Sequence, residues 1–343
     1  VNLNGKRLRA NFDGANFKNA TLTGGDSSGA KFMNANLSGA NLSGRNFHGA
    51  NFSNAILADA NFTRSWFTTS TVWPLGFDFI NSGAFGPGVD FRNLDLSIFD
   101  ANNPNYVHLK NGNFEGVNLN GKRLRANFDG ANFKNATLTG GDSSGAKFMN
   151  ANLSGANLSG RNFHDANFSN AILADANFTT SWFTTSTVWP LGFDYINSGA
   201  FGPEVDFRNL DLSIFDANNP NYVHLKNGNF EGVNLNGKRL RANFDGANFK
   251  NATLTGGDSS GAKFMNANLS GANLSGRNFH GANFSNAILA DANFTRSWFT
   301  TSTVWPLGFD FINSGAFGPG VDFRNLDLSI FDANNPNYVH LKN

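Results

Sequence analysis

Two nested repeats constrain the fold of this chain more than any other feature of its sequence. Residues 1–116 recur as residues 117–232 and again as residues 233–343, where only the last five residues of the unit are missing. Copies one and three are identical over the residues they share, and copy two differs at four positions: Gly49/Asp165, Arg64/Thr180, Phe79/Tyr195 and Gly88/Glu204. Internal repetition predicts stacked structural units rather than independent globular domains. We therefore expect three repeat units in one continuous solenoid.

Inside each copy runs a second period, of five residues. Between Ala10 and Pro74 it continues for 13 units, and 12 of their 13 central residues are apolar. The residue two positions before the centre is small in 12 of the 13 units. The exceptions are Ser27 at a central position and Arg45 at a small one. This period matches neither the 3.6-residue face of a helix nor the two-residue alternation of a long strand.

A period of five predicts short extended sides joined by bends. In an extended segment, the central residue and the residue two positions earlier point the same way. Gly and Asn follow the centre often, and they suit a bend with positive φ. Each side then turns one large and one small residue inward. The predicted core column contains Phe12, Phe17, Leu22, Phe32, Leu37, Leu42, Phe47, Phe52, Leu57, Phe62 and Phe67, and the phase continues to Val72.

These units resemble a known family. The sequence Ala-Asn-Leu-Ser-Gly at residues 35–39 and 40–44 is similar to the A-(D/N)-L-x-x consensus of the pentapeptide-repeat family, and matching units cover essentially the whole chain. Residues 72–78 resemble a W-P-x-G-F-D element that is often found in cyanobacterial members. The resemblance implies an all-β fold, a right-handed quadrilateral β-helix with four sides and about 20 residues per coil.

The register slips predict how many coils each copy contains. The phase slips before Phe12, between Val72 and Phe91, and between Phe91 and Leu109, by four residues in total. Adding four to 116 gives 120, or 24 full sides, so we expect six complete coils and a next copy that starts on the same face. At a rung spacing of ~4.8 Å, six coils rise ~29 Å. The alternative is five coils and a 16-residue loop around residues 74–88.

The composition excludes several kinds of chemistry. The chain has no Cys, so neither a disulfide nor a thiolate metal site can form. Its net charge of +1 favours neither nucleic acid nor an anionic membrane as a partner. No apolar run approaches the ~18 residues of a membrane span. Each copy contains two histidines, which are His48 and His108 in the first copy. Neither has another histidine or a carboxylate near it at the spacing of metal ligands. We expect no enzymatic activity, no cofactor and no metal.

Three polar or aromatic motifs have an ordinary and a more specific interpretation. Residues 24–29 superficially suggest a phosphate or calcium loop, but they lie in phase and lack the required spacing, which favours a polar side. Lys6, Arg7 and Arg9 form a basic cluster that is either a solvated corner or a repeated contact with an anion or a neighbouring coil, and Asp90, Asp95 and Asp100 are candidate partners. Four aromatic residues are expected to close the irregular coils rather than to bind sugars: Trp66, Trp73, Phe85 and Tyr106.

The leading functional hypothesis is a structural protein, a rigid β-helical rod. The near-identical copies and the lack of a visible cap at either end suggest part of a longer array, or head-to-tail stacking of the chain with itself. The alternative is a protein-binding scaffold, including a topoisomerase-binding DNA mimic, which the net charge of +1 disfavours. An extracellular or cell-surface location is the expected setting.

Overall fold

The structure is a computed structural model that describes residues 1–97, 99–101, 108–213, 215–217, 224–326 and 328–329. The chain divides into two compact units. Unit 1 comprises Val1–Asn177 with Thr187–Phe193, and unit 2 comprises Phe178–Ser186 with Asp194–Asn343. Each unit contains one junction between copies.

Both units are right-handed quadrilateral β-helices, as the sequence predicted. Their strands are single parallel bridges, most of them about one coil of 20 residues apart, as between Asn36 and Ile56. Leu37 N donates to Ile56 O at 2.8 Å, and Ile56 N donates to Ala35 O at 2.9 Å. The only helix in the described part of the chain is a single 3₁₀ turn, Phe323–Asn325.

The corners between sides follow the composition of the five-residue unit. Ala40 N donates to Leu37 O at 2.9 Å, which closes a four-residue turn, and Gly39 in that turn has a φ of 65°. A turn with positive φ at its third position is of the kind that favours Gly or Asn. The Asn before the central residue also contributes, because Asn36 Oδ1 accepts the backbone N–H of Ser38 at 3.1 Å. This role explains why Asn recurs before the core residue.

The inward positions form a continuous apolar core. Ten of the eleven side chains in the predicted core column are buried, and Phe12, in the first coil, is half-buried. The rings stack from coil to coil: Phe12, Phe32 and Phe52 follow one another with ring centroids 5.2 Å apart. Each buried Phe contributes ~1.5–3 kcal/mol from removal of its surface from water. The stack makes successive coils depend on each other for stability.

The phase prediction was wrong at the thirteenth unit. Val72 is 46% exposed, and Trp73 occupies the core, stacked on Phe52 at 5.1 Å. The preceding side is one residue longer. Its wider corner is held by Thr71, whose Oγ1 accepts the backbone N–H of Thr68 at 3.1 Å and donates to Phe47 O at 2.8 Å.

Residues 74–88 complete a coil and do not form the 16-residue loop of the alternative prediction. The bridge between Trp66 and Phe85 closes this coil in 19 residues. Gly86 then lies directly over the ring of Phe67, so close that an added Cβ would be 2.5 Å from ring carbons. Only glycine fits this close to the ring.

One face of unit 1 can be followed through this coil into the second copy. Trp66 and Phe85 share the face through their bridge. Gly88 N then donates to Lys110 O at 2.8 Å, which places Phe85 one coil before His108. The face on which Trp66 lies therefore continues with His108.

The second copy is rotated by one side relative to the first, so the prediction that successive copies start on the same face was wrong. His108 bridges to Asn127, the equivalent of Asn11 in the first copy. Asn11, however, lies on the face of Lys31 and Val72, one side away from that of Trp66. The first copy thus makes 23 sides, five and three-quarter coils rather than six. Unit 2 repeats the arrangement, with a bridge between His224 and Asn243.

Candidate functional site

An open groove lies at each junction between copies. In unit 1 its volume is about 490 Å³, and in unit 2 the equivalent groove measures about 560 Å³. The unit 1 groove is lined by both copies: Phe91, Arg92, Leu94, Asp95, Leu96, Ser97 and Gly116 from the first, and Val117, Asn118 and Lys122 from the second. No group of three or more histidine or acidic side chains that could hold a metal ion occurs among the described residues.

The basic cluster makes contacts between coils. Lys122, the second-copy equivalent of Lys6, donates from Nζ to Ser97 O at 2.7 Å across the groove. In the first copy Arg9 forms an ion pair with Asp26, and Arg7 is exposed. These contacts favour the interpretation of Lys6, Arg7 and Arg9 as a cluster that contacts a neighbouring coil.

Two of the three acidic residues expected to pair with that cluster, Asp90 and Asp95, have other partners. Asp90 forms an ion pair with Arg92 at 2.6 Å, and the hydrogen bonds from Arg92 hold the pKa of Asp90 below its ordinary value. Asp95 forms an ion pair with Arg64. Both pairs are exposed, where an ion pair contributes at most about 1 kcal/mol.

The four substitutions of copy two change the surface in a local way. Tyr195 donates from its hydroxyl to Glu204 Oε2 at 3.2 Å, so two of the substituted residues contact each other. Burial, together with the charge of Glu204, raises the pKa of Tyr195. His164 Nε2 lies 2.8 Å from Asp165 Oδ2. Copy two thereby gains two carboxylates and loses one arginine.

The least expected feature of the core is an arginine. Arg45, Arg161 and Arg277 are each 0% exposed, although they stand where the other units have a small residue. Arg161 donates from Nε to Leu138 O at 2.5 Å and from Nη1 to Ser143 Oγ at 2.9 Å and Lys122 O at 3.1 Å. Its Nη2 donates to Leu119 O at 3.4 Å. One guanidinium therefore ties together three successive coils.

Space for the guanidinium comes from two further departures from the five-residue pattern. Gly141 lies beneath Arg161, and a Cβ on Gly141 would be 3.1 Å from Arg161 Nη2 and 2.5 Å from Lys122 O. Ser143 is a central residue, and it supplies a hydroxyl where other sides place Phe or Leu. Residues 140–145, like residues 24–29, are thus a polar side that accepts an arginine from the next coil, and neither a phosphate nor a calcium loop.

The burial of these arginines carries an electrostatic cost. Desolvation lowers the pKa of Arg161 and Arg277 to about 10, opposed by the charges of Asp142 and Asp258 respectively. Desolvation also lowers the pKa of Arg45. Sequence reasoning identified Ser27 and Arg45 as exceptions but did not connect them. Ser27 and Arg45 are 18 residues apart, which is close to the length of one coil. This spacing was the sequence signal that the two residues contact each other.

The aromatic residues of the irregular coil close the core, as expected. Trp73 has Phe52 stacked on one side at 5.1 Å and Phe79 stacked at 5.9 Å. Trp66 packs against Phe85 at 5.0 Å. Tyr106, the fourth residue of this prediction, lies outside the described residues. A ring packed in this way is not an open platform for a sugar.

The repeat pattern matches a known family. The sequence signature described as "Pentapeptide repeats" is found in 8 copies, at residues 10–49, 35–71, 126–164, 162–184, 242–281 and 267–303, more than half of the chain. This chain belongs to the pentapeptide-repeat family. No curated protein matches the sequence of this pentapeptide-repeat protein.

Several solved structures are similar to this pentapeptide-repeat protein. HetL, a pentapeptide repeat protein involved in heterocyst differentiation regulation from Nostoc sp. strain PCC 7120, is 20% identical over 87% of this chain and 89% of its own, with a TM-score of 0.20. QnrB1, a plasmid-mediated fluoroquinolone resistance protein, is 15% identical over 90% of this chain and 91% of its own, with a TM-score of 0.24. A third, alr5209 from Nostoc PCC 7120, is 27% identical over 27% of this chain and 80% of its own, with a TM-score of 0.22. The described residues of the pentapeptide-repeat protein include no helix that could span a membrane.

Proposed function

We propose that this pentapeptide-repeat protein is a non-enzymatic structural scaffold. In this proposal, its 116-residue copies join into one continuous solenoid. Such a solenoid is a segment of a longer array or a subunit that stacks head to tail with itself. The family assignment supports the rigid β-helical repeat scaffold, and the near-identity of the copies supports the array.

The observation that carries the proposal is the junction between copies. In unit 1 the rings of Phe91, Phe114 and Phe133 stack through the junction, with centroids 4.1 and 4.7 Å apart. Backbone bridges cross it as they do within a copy, as between Asn113 and Asn132. A further copy can therefore be added by the same contacts, with no new interface.

Insertion of a fourth copy tests the array. Because a copy makes five and three-quarter coils, each added copy should lengthen the particle by ~28 Å at a rung spacing of ~4.8 Å. Small-angle X-ray scattering on the present chain and on the extended chain measures the difference in maximum dimension. A maximum dimension that does not increase with the added copy contradicts a continuous solenoid. Negative-stain microscopy over a range of protein concentrations distinguishes a segment of a longer array from a subunit that stacks head to tail. Only head-to-tail stacking should give particles whose length increases with concentration.

A protein-binding scaffold is the second candidate. One observation favours it: Leu75, Leu191 and Leu307 are fully exposed at the same place in all three copies. If these leucines bind a protein partner, replacing all three by Ser should abolish the retention of that partner on the immobilised chain. Replacing the outward Ser53, Ser169 and Ser285 by Ala is the matched control. Equal retention by both variants contradicts the role of the leucines. The net charge of +1 remains unlike the acidic surface that a DNA mimic requires.

A further inference from the structure

The regular part of the five-residue pattern does not by itself specify how successive coils pair. The two units at residues 35–39 and 40–44 are identical in sequence. A shift of one coil by one side would again place small residues over small ones and Leu or Phe over Leu or Phe. The hydrophobic pattern specifies the register of a strand only where the shifted register differs from the native one. Some other feature must therefore distinguish the native pairing of coils from a pairing shifted by one side.

The buried arginine of each copy is satisfied by the native pairing. Arg161 accommodates its guanidinium over Gly141, which has no side chain, and finds the hydroxyl of Ser143 at 2.9 Å. Its other acceptors are carbonyl oxygens of residues 23, 39 and 42 positions earlier in the chain. The contacts of Arg45 and Arg277 are equivalent.

A pairing shifted by one side removes both features. Arg161 would then lie over Ala146 and Phe148, or over Ala136 and Leu138. These side chains fill the space that Gly141 and Ser143 leave open, and they offer no side-chain oxygen. A buried cation without its hydrogen-bond partners is strongly unfavourable, much more so than an exchange of Leu for Phe.

We propose that Arg45, Arg161 and Arg277, each with its Gly and Ser one coil earlier, set the register of the coils in their copy. The arginine is a positioning residue: it excludes shifted pairings and so determines which residues each face of the solenoid presents. A single buried polar group is known to specify register in other repetitive folds. This role concerns assembly of the fold and does not depend on the proposed function as an array.

Cysteine cross-linking can read the register directly, because the chain contains no cysteine. In the native register Thr139 and Ser159 are neighbours, since Gly140 N donates to Ser159 O at 2.8 Å. Cysteines at this native pair report the native register. Cysteines at Thr139 with His164, or at Thr139 with Ser154, report a shift of one side in either direction. A rung spacing of ~4.8 Å falls within the ~4.4–6.8 Å between Cα atoms that a disulfide requires.

Each cysteine pair is introduced into three forms of the full chain. The first is otherwise unchanged, and the second carries Arg45→Met, Arg161→Met and Arg277→Met. The third is the matched control, which carries Arg92→Met, Arg208→Met and Arg324→Met and so loses the same number of charges at exposed positions. All are unfolded in urea, refolded under oxidising conditions and analysed by peptide mass spectrometry.

We expect only the native pair to cross-link in the unchanged and control forms. With the buried arginines replaced, cross-linking of the two shifted pairs should rise about tenfold, the change in population that follows from losing a hydrogen bond to a charged group. Cross-linking of the native pair alone in that variant overturns the proposal, whatever its stability.

If the arginine replacements prevent folding, a milder variant tests whether the buried arginines set the register. Ser27→Ala, Ser143→Ala and Ser259→Ala remove one acceptor from each guanidinium and leave its backbone acceptors in place. Shifted cross-links above those of the unchanged form support the proposal. Their absence in this folded variant overturns it.

Discussion

Replacing Phe52 by aspartate is expected to unfold the coils around it. Phe52 is 0% exposed, with the rings of Phe32 and Trp73 stacked 5.2 and 5.1 Å away. The substitution removes both stacks, leaves a cavity and buries a carboxylate without a partner, at a cost of about 5 kcal/mol or more. Because a solenoid distributes its stability over neighbouring coils, the loss should be confined to the first copy.

Hydrogen exchange followed by mass spectrometry measures this loss coil by coil. Protection should disappear in the coils of Phe32, Phe52 and Trp73 and persist in the third copy. Ser53→Asp is the control, because Ser53 lies outward and makes only a local hydrogen bond from Oγ to Asn51 Oδ1 at 2.6 Å. Equal destabilisation by Phe52→Asp and Ser53→Asp would show that the assignment of inward and outward positions is wrong.

The second large effect is expected for Arg161→Ala. The truncation leaves a cavity the size of a guanidinium and deprives Leu138 O and Ser143 Oγ of their donor. Lost packing and unsatisfied buried acceptors together should lower the free energy of unfolding by about 3–5 kcal/mol. Urea denaturation followed by tryptophan fluorescence measures the change.

Arg208→Ala provides the comparison for this prediction. Arg208 forms an exposed ion pair with Asp206 at 2.5 Å, and losing such a pair should cost less than about 1 kcal/mol. Similar midpoints for Arg161→Ala and for the unchanged chain would mean that the buried hydrogen bonds contribute no net stability.

The regular coils could be derived from the sequence because each pentapeptide is nearly self-contained. The turn closes within four residues, because Ala40 N donates a hydrogen bond to Leu37 O. The side chain of Asn36 accepts the backbone N–H of Ser38, which is only two residues further along the chain. Where all interactions that shape a side are local, the local pattern suffices. This is why the inward positions from Phe17 to Phe67 could be assigned correctly.

The sequence did not predict the structure where a corner or a core position depends on another coil. The side before Trp73 takes an extra residue because Thr71 Oγ1 reaches Phe47 O, 24 residues earlier in the chain. Arg45 is tolerated inside because Gly25 and Ser27 lie one coil earlier. Neither relation is visible in a five-residue window, although the two exceptions in the pattern, Ser27 and Arg45, contact each other.

The sequence by itself determined that this chain forms stacked coils of short sides with a core of Phe, Leu and Ala, because a period of five permits one large and one small inward residue per side. The resemblance to the pentapeptide-repeat family implied that each coil has four sides. Only the tertiary structure decided on which face each copy begins. A corner can absorb an additional residue or omit one, so the length of an irregular segment does not report how many sides it makes. The bridges from Trp66 to Phe85 and from His108 to Asn127 count those sides directly, and they rotate the second copy by one side relative to the first.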